Sequence, residues 1–366
     1  GKGRCNVTNN CDIDTVIKSV PSNGRFLYSA LNKFSPKDTM NFFESLGLEL
    51  KTERGNRVFP SSDRAADVVA AMDKFIKECG CDILNDRVKS LIIEDGKIKG
   101  VKTYSDKEIY ADNVIVACGG KSYPLTGSTG DGYKLANQAG HTIIDPKPSL
   151  VPLVSSDDFC KELQGLSLKN VSIKVVDKYK NSVIFKDFGE LLFTHFGLSG
   201  PIILSASSHM KDMKDKKYKI QIDLKPALNR DKLDIRIQRD FSKYKNKDLS
   251  NSLSDLLPKK LIPVVIKLLN IDGSTKCNQI TKEVRYNLVN LLKEFNVNIS
   301  SFRPIEEAII TSGGVKTSEI NPKTMESKLI KGLYFAGEVI DVDAYTGGFN
   351  LQIAFCTGYL AGNIAH

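Results

Sequence analysis

The chain has 366 residues, of which 41% are apolar and 26% charged, and its formal net charge is +9. This length exceeds what one simple core organises, so two or three domains are expected. No run approaches the roughly 18 apolar residues of a membrane span, and the polar start has no apolar segment typical of a secretory signal.

The first third of the chain predicts helices. Ser35 followed by Pro36 and Asp38 is typical of a helix start, and that helix should end near Gly47. A second helix is predicted from about Ser62 to Gly80. One apolar stripe of this helix would contain Ala65, Val68, Val69, Met72, Phe75, Ile76 and Cys79.

The next segments predict strands. Asp95-Gly96 lies between two alternating apolar segments, which predicts a β-hairpin. The sequence VIVA at 114–117 predicts a buried strand that leads directly into Gly119-Gly120. Near the end, GLYFAGEVI (332–340) predicts another buried strand, and NLQIAFCTGYLAGNIA (350–365) predicts an apolar helix.

The middle of the chain has a different character. Residues 148–225 alternate in short apolar segments, which predicts the β part of an insert. Residues 226–312 read as the helical part, with long Leu- and Lys-rich segments punctuated by prolines. The predicted fold class is therefore α/β, with one domain formed by 1–147 and 313–366 and interrupted by an α+β insert.

A glycine-rich turn follows the strand at 114–117. Gly120-Lys121-Ser122 resembles the end of a phosphate-binding loop, but the first glycine of that motif would fall at Ile115, so the nucleotide-triphosphatase interpretation fails. What remains is a loop with Gly127 and Gly130 that enters a helix. Backbone N–H groups at such a helix start bind a diphosphate or the edge of a flavin.

A second glycine-rich turn follows the strand at 332–340. Gly337-Glu338 is followed by Asp341, and then Gly347-Gly348 opens the last helix. This order resembles the C-terminal flavin motif of two-dinucleotide oxidoreductases, in which the acid hydrogen-bonds the ribityl chain. A helix N-terminus stabilises the negative charge that reduction places on the ring. The alternative is an ordinary turn with surface acids.

Six motifs together resemble one known family. They are GKGRCNVTN, TERGNRVFP, ACGGKSYPLTGSTGDGY, GELLFTHFGLSGP, TSGGV and TMESKLIKGLYFAGEVIDVDAYTGGFNLQ. In order and spacing they are similar to the BaiN/YhiN-type family of bacterial NAD(P)/FAD-dependent oxidoreductases. The resemblance implies a glutathione-reductase-like, three-layer FAD-binding domain, non-covalent FAD and flavin-mediated hydride transfer. NADH or NADPH is the implied electron donor, and family members act on an aminoketone and on a steroid enone.

The opening loop, residues 1–9, is one residue short of the G-x-G-x-x-G dinucleotide fingerprint. No strand precedes it and no apolar helix stripe follows it, although the fingerprint requires both. In the family that it resembles, this loop brings Arg4, Asn6 and Thr8 towards the flavin. The fingerprint itself is then expected upstream, in a segment of very roughly 30–50 residues that this chain does not include.

The resemblance and the glycine turns together define the candidate residues. The predicted cofactor-binding residues are Arg4, Asn6, Thr8, Val88, Ala117, Gly119, Gly120, Gly127, Gly130, Asp131, Gly337, Glu338, Asp341, Gly347, Gly348, Phe349, Asn350 and Leu351. The substrate-side candidates are Arg57, Tyr123 and Tyr345. His195 is the catalytic candidate because histidine titrates near neutrality, although its position beside Phe193 and Phe196 also suits a structural histidine.

Other functions are less well supported by the sequence. The eight cysteines lie mostly in apolar stretches, which is typical of a reduced, cytoplasmic protein, and the spacing of cysteine and histidine predicts no metal site. We expect a small-molecule substrate and no membrane. The positive charge, much of it in the lysine-rich run 211–219, leaves a flavoprotein that acts on RNA open, but a solvated surface explains that run more simply. An aminoketone oxidase using dioxygen and a non-catalytic FAD-binding protein also stay open.

Overall fold

A computed structural model describes residues 3–210, 213 and 217–365. The strands in this part are β1 (Thr8–Asn9), β2 (Leu50–Glu53), β3 (Arg57–Pro60), β4 (Val88–Glu94), β5 (Lys97–Thr103), β6 (Glu108–Tyr110), β7 (Val114–Val116), β8 (Ile143–Ser149), β9 (Leu153–Ser155), β10 (Ser167–Asp177), β11 (Ser182–Thr194), β12 (Gly197–Ser199), β13 (Tyr218–Asp223), β14 (Phe295–Phe302), β15 (Ile310–Val315) and β16 (Leu333–Phe335). The α-helices are α1 (Ile13–Lys18), α2 (Tyr28–Lys33), α3 (Pro36–Ser45), α4 (Ala65–Glu78), α5 (Asp131–Gln138), α6 (Phe159–Glu162), α7 (Pro201–Ser207), α8 (Arg230–Lys243), α9 (Leu249–Ser252), α10 (Ile262–Leu269), α11 (Lys282–Lys293) and α12 (Phe349–Ile364). Most of the lysine-rich run noted above lies outside the described residues.

The chain folds into two compact units. Unit 1 contains the described residues of 1–149 and 304–366, and unit 2 contains 150–303. The sequence placed these boundaries at 147/148 and 312/313. The segment 226–312, which we predicted to be helical, also contains β14 and β15. Their alternating residues pair with strands far away in the chain, and such pairing cannot be read from helix punctuation.

Unit 1 is built around a parallel strand pair. β7 pairs with β16 in parallel, with Val114 opposite Leu333 and Val116 opposite Phe335. β4, β5 and β6 form an antiparallel sheet, β8 pairs with β15, and β1, β3 and β2 form a fourth sheet. Because the carboxyl ends of parallel strands meet at the same sheet edge, the two glycine turns that follow β7 and β16 are neighbours.

Local signals in unit 1 are confirmed. Ser35 and Asp38 form a reciprocal capping box at the start of α3, as the sequence predicted. β4 and β5 form the predicted hairpin, and Asp95 and Gly96 have φ values of 48° and 72°. Two positive φ values are what a tight two-residue hairpin turn requires.

Burial differs from the prediction at two places. Val69 of α4 is 68% exposed, although we had placed it on the apolar stripe; Val68 and Ala71 are the buried residues of this helix. Ile115 of β7, in the strand that we predicted to be buried, is 38% exposed. Strand side chains project from the faces of a sheet, so the exposure of Ile115 shows that the face on which it lies is not fully covered by the described residues.

Unit 2 is a closed barrel with associated helices. The strand order around the barrel is β10-β11-β12-β9-β14-β13. Alternate residues point inward, as in β13, where Tyr218, Ile220 and Ile222 are buried. Their core is continuous with apolar residues of α8, α10 and α11. The β and helical parts of the insert therefore share one core.

The described residues lack two features that would bear on the function. None of their helices combines the length and the apolar character that a membrane crossing requires. They also contain no group of three or more His, Cys, Asp or Glu side chains arranged to hold a metal ion.

Candidate functional site

The turns after β7 and β16 meet at the carboxyl edge of the parallel pair. Gly119 and Gly337 both have φ of 73°, which favours glycine. At Gly120, a Cβ atom would lie 2.4 Å from Thr311 Oγ1 and 2.6 Å from Glu338 Oε1. Glycine is therefore required at position 120, because any side chain would collide with the residues that hold Glu338.

Glu338 is the central carboxylate of this edge. Its Oε1 accepts hydrogen bonds from the Thr311 N–H at 2.7 Å and from the Ser122 hydroxyl at 3.2 Å. Its Oε2 accepts none from a described residue. Burial raises the pKa of Glu338, and the charge of Asp343 adds to that rise. The free oxygen is suited to a ligand hydroxyl, which donates a hydrogen bond without bringing further charge.

Tyr133 adds a second unsatisfied group. Its side chain is buried, at 4% exposure, and its hydroxyl has no hydrogen-bond partner among the described residues. Burial, followed by the negative charge of Glu338, raises the pKa of the phenol. A buried polar atom without a partner is costly, so this position fits contact with a polar ligand.

Two further acids lie in the same motif. Asp341 accepts a hydrogen bond from the Asn23 side chain at 3.0 Å. Asp343 is buried and accepts from the hydroxyls of Ser149 and Ser312, at 2.8 and 2.9 Å. Burial raises the pKa of both carboxyls. Both carboxylate oxygens of Asp343 thus accept hydrogen bonds from the protein. Asp341 is half-buried and therefore more accessible to a ligand than Asp343.

The opening loop meets the start of α12. Gly348 has φ of 95°, and a Cβ atom there would lie 2.3 Å from the Thr8 carbonyl oxygen. The Asn6 amide, with its oxygen facing Gly348, accepts the Gly348 N–H at 2.9 Å. Asn9 donates to the carbonyl oxygen of Gly347 at 2.9 Å. The two predicted motifs are therefore brought together, and the asparagines fix the glycine pair.

Gln352 is a positioning residue that sequence reasoning missed. It is fully buried in α12, accepts from the hydroxyls of Thr8 and Thr39 at 2.6 and 2.8 Å, and donates to the Phe34 carbonyl at 3.0 Å. The Thr8 side chain, predicted to approach the cofactor, is thus committed to Gln352. The available signal was an amide between the apolar residues Leu351 and Ile353 of the helix, where a buried polar side chain needs partners.

The first turn of α12 presents backbone donors. Gly348 caps the helix without a side-chain hydrogen bond, and no described side chain accepts from the N–H groups of Phe349, Asn350 or Leu351. The Asn350 side chain instead bonds the backbone of Ala344, as donor and as acceptor, at 2.8 Å. These N–H groups and the positive end of the helix dipole are available to an anion or to developing negative charge.

Asp131 and Arg4, both predicted to bind cofactor, are engaged in ion pairs. Asp131 at the start of α5 accepts two hydrogen bonds from Arg87, at 2.5 and 2.7 Å. These hydrogen bonds hold the pKa of the carboxyl well below its usual range. Arg4 pairs with Glu53 and Asp63. The charges of Asp131 and Arg4 are therefore already balanced by side chains of the protein.

The remaining candidates lie at several places in the fold. Gly127 and Gly130 have positive φ in the loop before α5, Val88 begins β4 beside Arg87, and exposed Ala117 follows β7. Among the substrate-side candidates, Arg57 is exposed, Tyr123 is 38% exposed, and Tyr345 is half-buried. His195 is exposed in unit 2, in the loop between β11 and β12.

Comparison with known proteins gives consistent matches. The family described as HI0933-like protein Rossmann domain matches residues 1–364. A 3-dehydro-bile acid delta(4,6)-reductase of Clostridium scindens is 33% identical, over 100% of this chain and 88% of its own length. A ribosomal RNA dihydrouridine synthase of Haemophilus influenzae is 32% identical, over 98% of this chain and 86% of its own length.

Solved structures with lower similarity were also found. The FrdA chain of Escherichia coli quinol fumarate reductase matches with a TM-score of 0.44 and 14% identity, over 99% of this chain. Aquifex aeolicus GidA matches with a TM-score of 0.37 and 12% identity, over 93% of this chain. The chain spans only 61% and 55% of those two proteins.

Proposed function

Because this chain belongs to the HI0933-like family of Rossmann-domain proteins, it is a flavin-dependent oxidoreductase, and we propose that it reduces a carbon–carbon double bond conjugated to a carbonyl group. We further propose that unit 1 holds FAD and that NADH or NADPH supplies the electrons. The observation that carries the proposal is the start of α12, where unused backbone N–H groups follow a glycine pair fixed by Asn6 and Asn9.

The residues of unit 1 fit FAD. Oε2 of Glu338 and the orphaned hydroxyl of Tyr133 suit the hydroxyl-rich ribityl chain. The glycine loop before α5 suits a diphosphate. The first turn of α12 suits the side of the ring that gains negative charge on reduction. When bound, FAD supplies two-electron hydride chemistry.

The roles of the protein's own groups follow from their positions. The backbone N–H groups of Phe349 and Asn350 would stabilise negative charge, since a helix start attracts anions without needing a charged side chain. Glu338, with its raised pKa, accepts or donates a hydrogen bond at Oε2 according to its protonation state. Thr8 and Gln352 would hold the helix in place through the hydrogen bond between their side chains.

The substrate class is inferred from the named relatives. Delta(4,6)-reductase and dihydrouridine synthase both describe the saturation of a carbon–carbon double bond in a ring. A conjugated enone is therefore the chemistry that the two names share. The bile-acid reductase favours a small molecule, and the dihydrouridine synthases favour uridine in RNA as the second candidate.

A spectroscopic titration tests the proposal. The full-length protein is loaded with FAD and titrated anaerobically with NADH and then NADPH, and the flavin bands near about 370 and 450 nm are followed. Bleaching with one reductant, followed by recovery on adding 2-cyclohexenone or a uridine oligonucleotide, supports the proposal. Bands that persist with both reductants contradict the NAD(P)H link. Failure to bind FAD contradicts the assignment of unit 1.

A further inference from the structure

Unit 2 carries a groove on the outer face of its barrel, and none of the residues that line it is a flavin candidate. It runs along β10, β11 and β13 and the segment 224–230. Two adjoining cavities of about 590 and 830 Å³ share Ser172, Phe188 and Pro226. Volumes of this size are in the range of small-ligand sites.

The strand register explains why the groove has this surface. Ser172 lies opposite Phe188 in β11, and Lys174 lies opposite Lys186. Ile173 between them is buried in the barrel core, so its neighbours in the strand face outward. Phe188 is 52% exposed, which places an open aromatic face about 7 Å along the strand from Lys186.

Two of the three acids that line the groove are in ion pairs. Asp223 pairs with Lys293 at 2.6 Å, and Glu294 pairs with Arg230. Asp187 accepts only the uncharged backbone N–H of Phe188, at 2.7 Å, and keeps its negative charge. Asp187 is therefore the one acid of the groove that can offset a further cation among the described residues.

Three lysines of the groove, unlike Lys293, have no ion-pair partner among the described residues. Lys174, Lys186 and Lys225 all line it, and none lies within 4.0 Å of a carboxylate of a described residue. Lys174 and Lys186 are direct cross-strand neighbours, an arrangement of like charges that destabilises a sheet. Burial lowers the pKa of Lys225, and the charge of Arg236 lowers it further. A bound anion would relieve this concentration of positive charge.

We propose that this groove binds a single strand of nucleic acid, with a base stacked on Phe188 and phosphates held by Lys174 and Lys186. Cations beside an exposed aromatic ring are the combination by which proteins bind single strands, because every base has a face that stacks. A simple anion site would have no use for the exposed ring. The inference is independent of the proposed flavin chemistry, since all its residues belong to unit 2.

Fluorescence anisotropy with labelled 12-nucleotide oligo(U) and oligo(dT) tests the proposal. Phe188→Ala should weaken binding roughly 5- to 150-fold, the loss expected for one stacked base. The double variant Lys174→Gln/Lys186→Gln should reduce the slope of log K against log salt by about 1.4, for two phosphate contacts. The two oligonucleotides distinguish RNA from DNA as the preferred strand.

Matched controls lie elsewhere in unit 2. Tyr286→Ala removes an aromatic side chain that is 63% exposed, and Lys259→Gln/Lys282→Gln removes two charges that do not line the groove. Phe188→Leu keeps the apolar bulk and removes the aromatic face, so it replaces Phe188→Ala if that variant unfolds. The flavin spectrum should not change in the groove variants, and their melting temperature should not fall; relief of the repulsion between Lys174 and Lys186 should raise it slightly in the double lysine variant.

Three results would overturn the proposal. The first is no binding to either oligonucleotide at low salt. The second is a loss in the control variants equal to that in the groove variants. The third is binding that Phe188→Leu does not weaken and that polyphosphate matches, which would show a charge effect without base stacking.

Discussion

Gly348→Ala tests the geometry on which the proposed cofactor site depends. Gly348 has φ of 95°, and a Cβ atom there would lie 2.3 Å from the carbonyl oxygen and 2.4 Å from the carbonyl carbon of Thr8. An L-residue in this left-handed conformation costs about 1–2 kcal/mol. The hydrogen bond to Asn6 contributes about 0.5–1.5 kcal/mol more. The expected loss of stability is therefore roughly 1.5–3.5 kcal/mol, before any cost of separating the opening loop from α12.

The measurement is thermal unfolding with and without FAD. A ligand that binds the folded protein at 100 times its Kd stabilises it by about 2.7 kcal/mol, so FAD should raise the melting temperature of the wild type. Gly348→Ala should melt at a lower temperature, and FAD should no longer raise it, because the helix start has moved relative to the loop that fixes it.

The same helix provides the control. Apart from its chain neighbours and the adjacent backbone of its own helix, no described atom lies within 4 Å of a Cβ atom built on Gly358. Alanine is favoured over glycine in a helix interior by about 1 kcal/mol. Gly358→Ala should therefore melt at or above the wild-type temperature and keep the FAD effect. If Gly348→Ala matched the wild type both in melting temperature and in its response to FAD, the steric account of this site would be refuted.

Three further outcomes are expected. Gln352→Met leaves the Thr8 hydroxyl and the Phe34 carbonyl without their Gln352 partner, so urea unfolding should show a loss of about 2–6 kcal/mol in the free energy of unfolding. Adding Thr8→Val should recover part of that loss, because the unpaired hydroxyl is removed. No recovery would argue against coupling between Thr8 and Gln352. Burial raises the pKa of Asp343 above its ordinary 3.8, so the folded protein holds a proton that the unfolded chain releases, and stability falls as pH rises from about 4. Asp343→Asn should flatten this dependence in melting curves and raise stability near pH 7; an unchanged profile would refute it. Burial lowers the pKa of His141 below its ordinary 6.5, so the unfolded chain binds a proton more readily than the folded protein. The stability of the wild type should therefore fall as the pH drops below about 6.5. His141→Gln should lose less stability than the wild type between about pH 7.5 and 5.5, and an equal loss in melting curves would refute this.

The sequence by itself determined the features that depend on neighbouring residues. The capping box of Ser35 and Asp38 and the turn at Asp95-Gly96 are set by hydrogen bonds and φ values within a few residues. The order of glycine turns and buried strands was likewise sufficient to indicate the family. Each of these patterns depends on residues that are close together in the sequence.

Burial was less predictable because it depends on the surface that covers a residue. Val69 has the periodicity of a core residue but is 68% exposed, and Ile115 lies in an apolar strand but is 38% exposed. Periodicity shows which face of an element a residue occupies. It does not show whether another element packs on that face.

Only the tertiary structure decided how the candidate site is held together. Thr8 and Gln352 are 344 positions apart, and Asn9 and Gly347 are 338 apart, so no local pattern indicates that they are partners. The sequence singled out Thr8 as a cofactor contact and overlooked Gln352. In the folded chain, the threonine hydroxyl holds the glutamine, and the Thr8 carbonyl leaves room only for a glycine at position 348. Such close approaches between distant segments arise from packing, and packing exists only once the whole unit has folded.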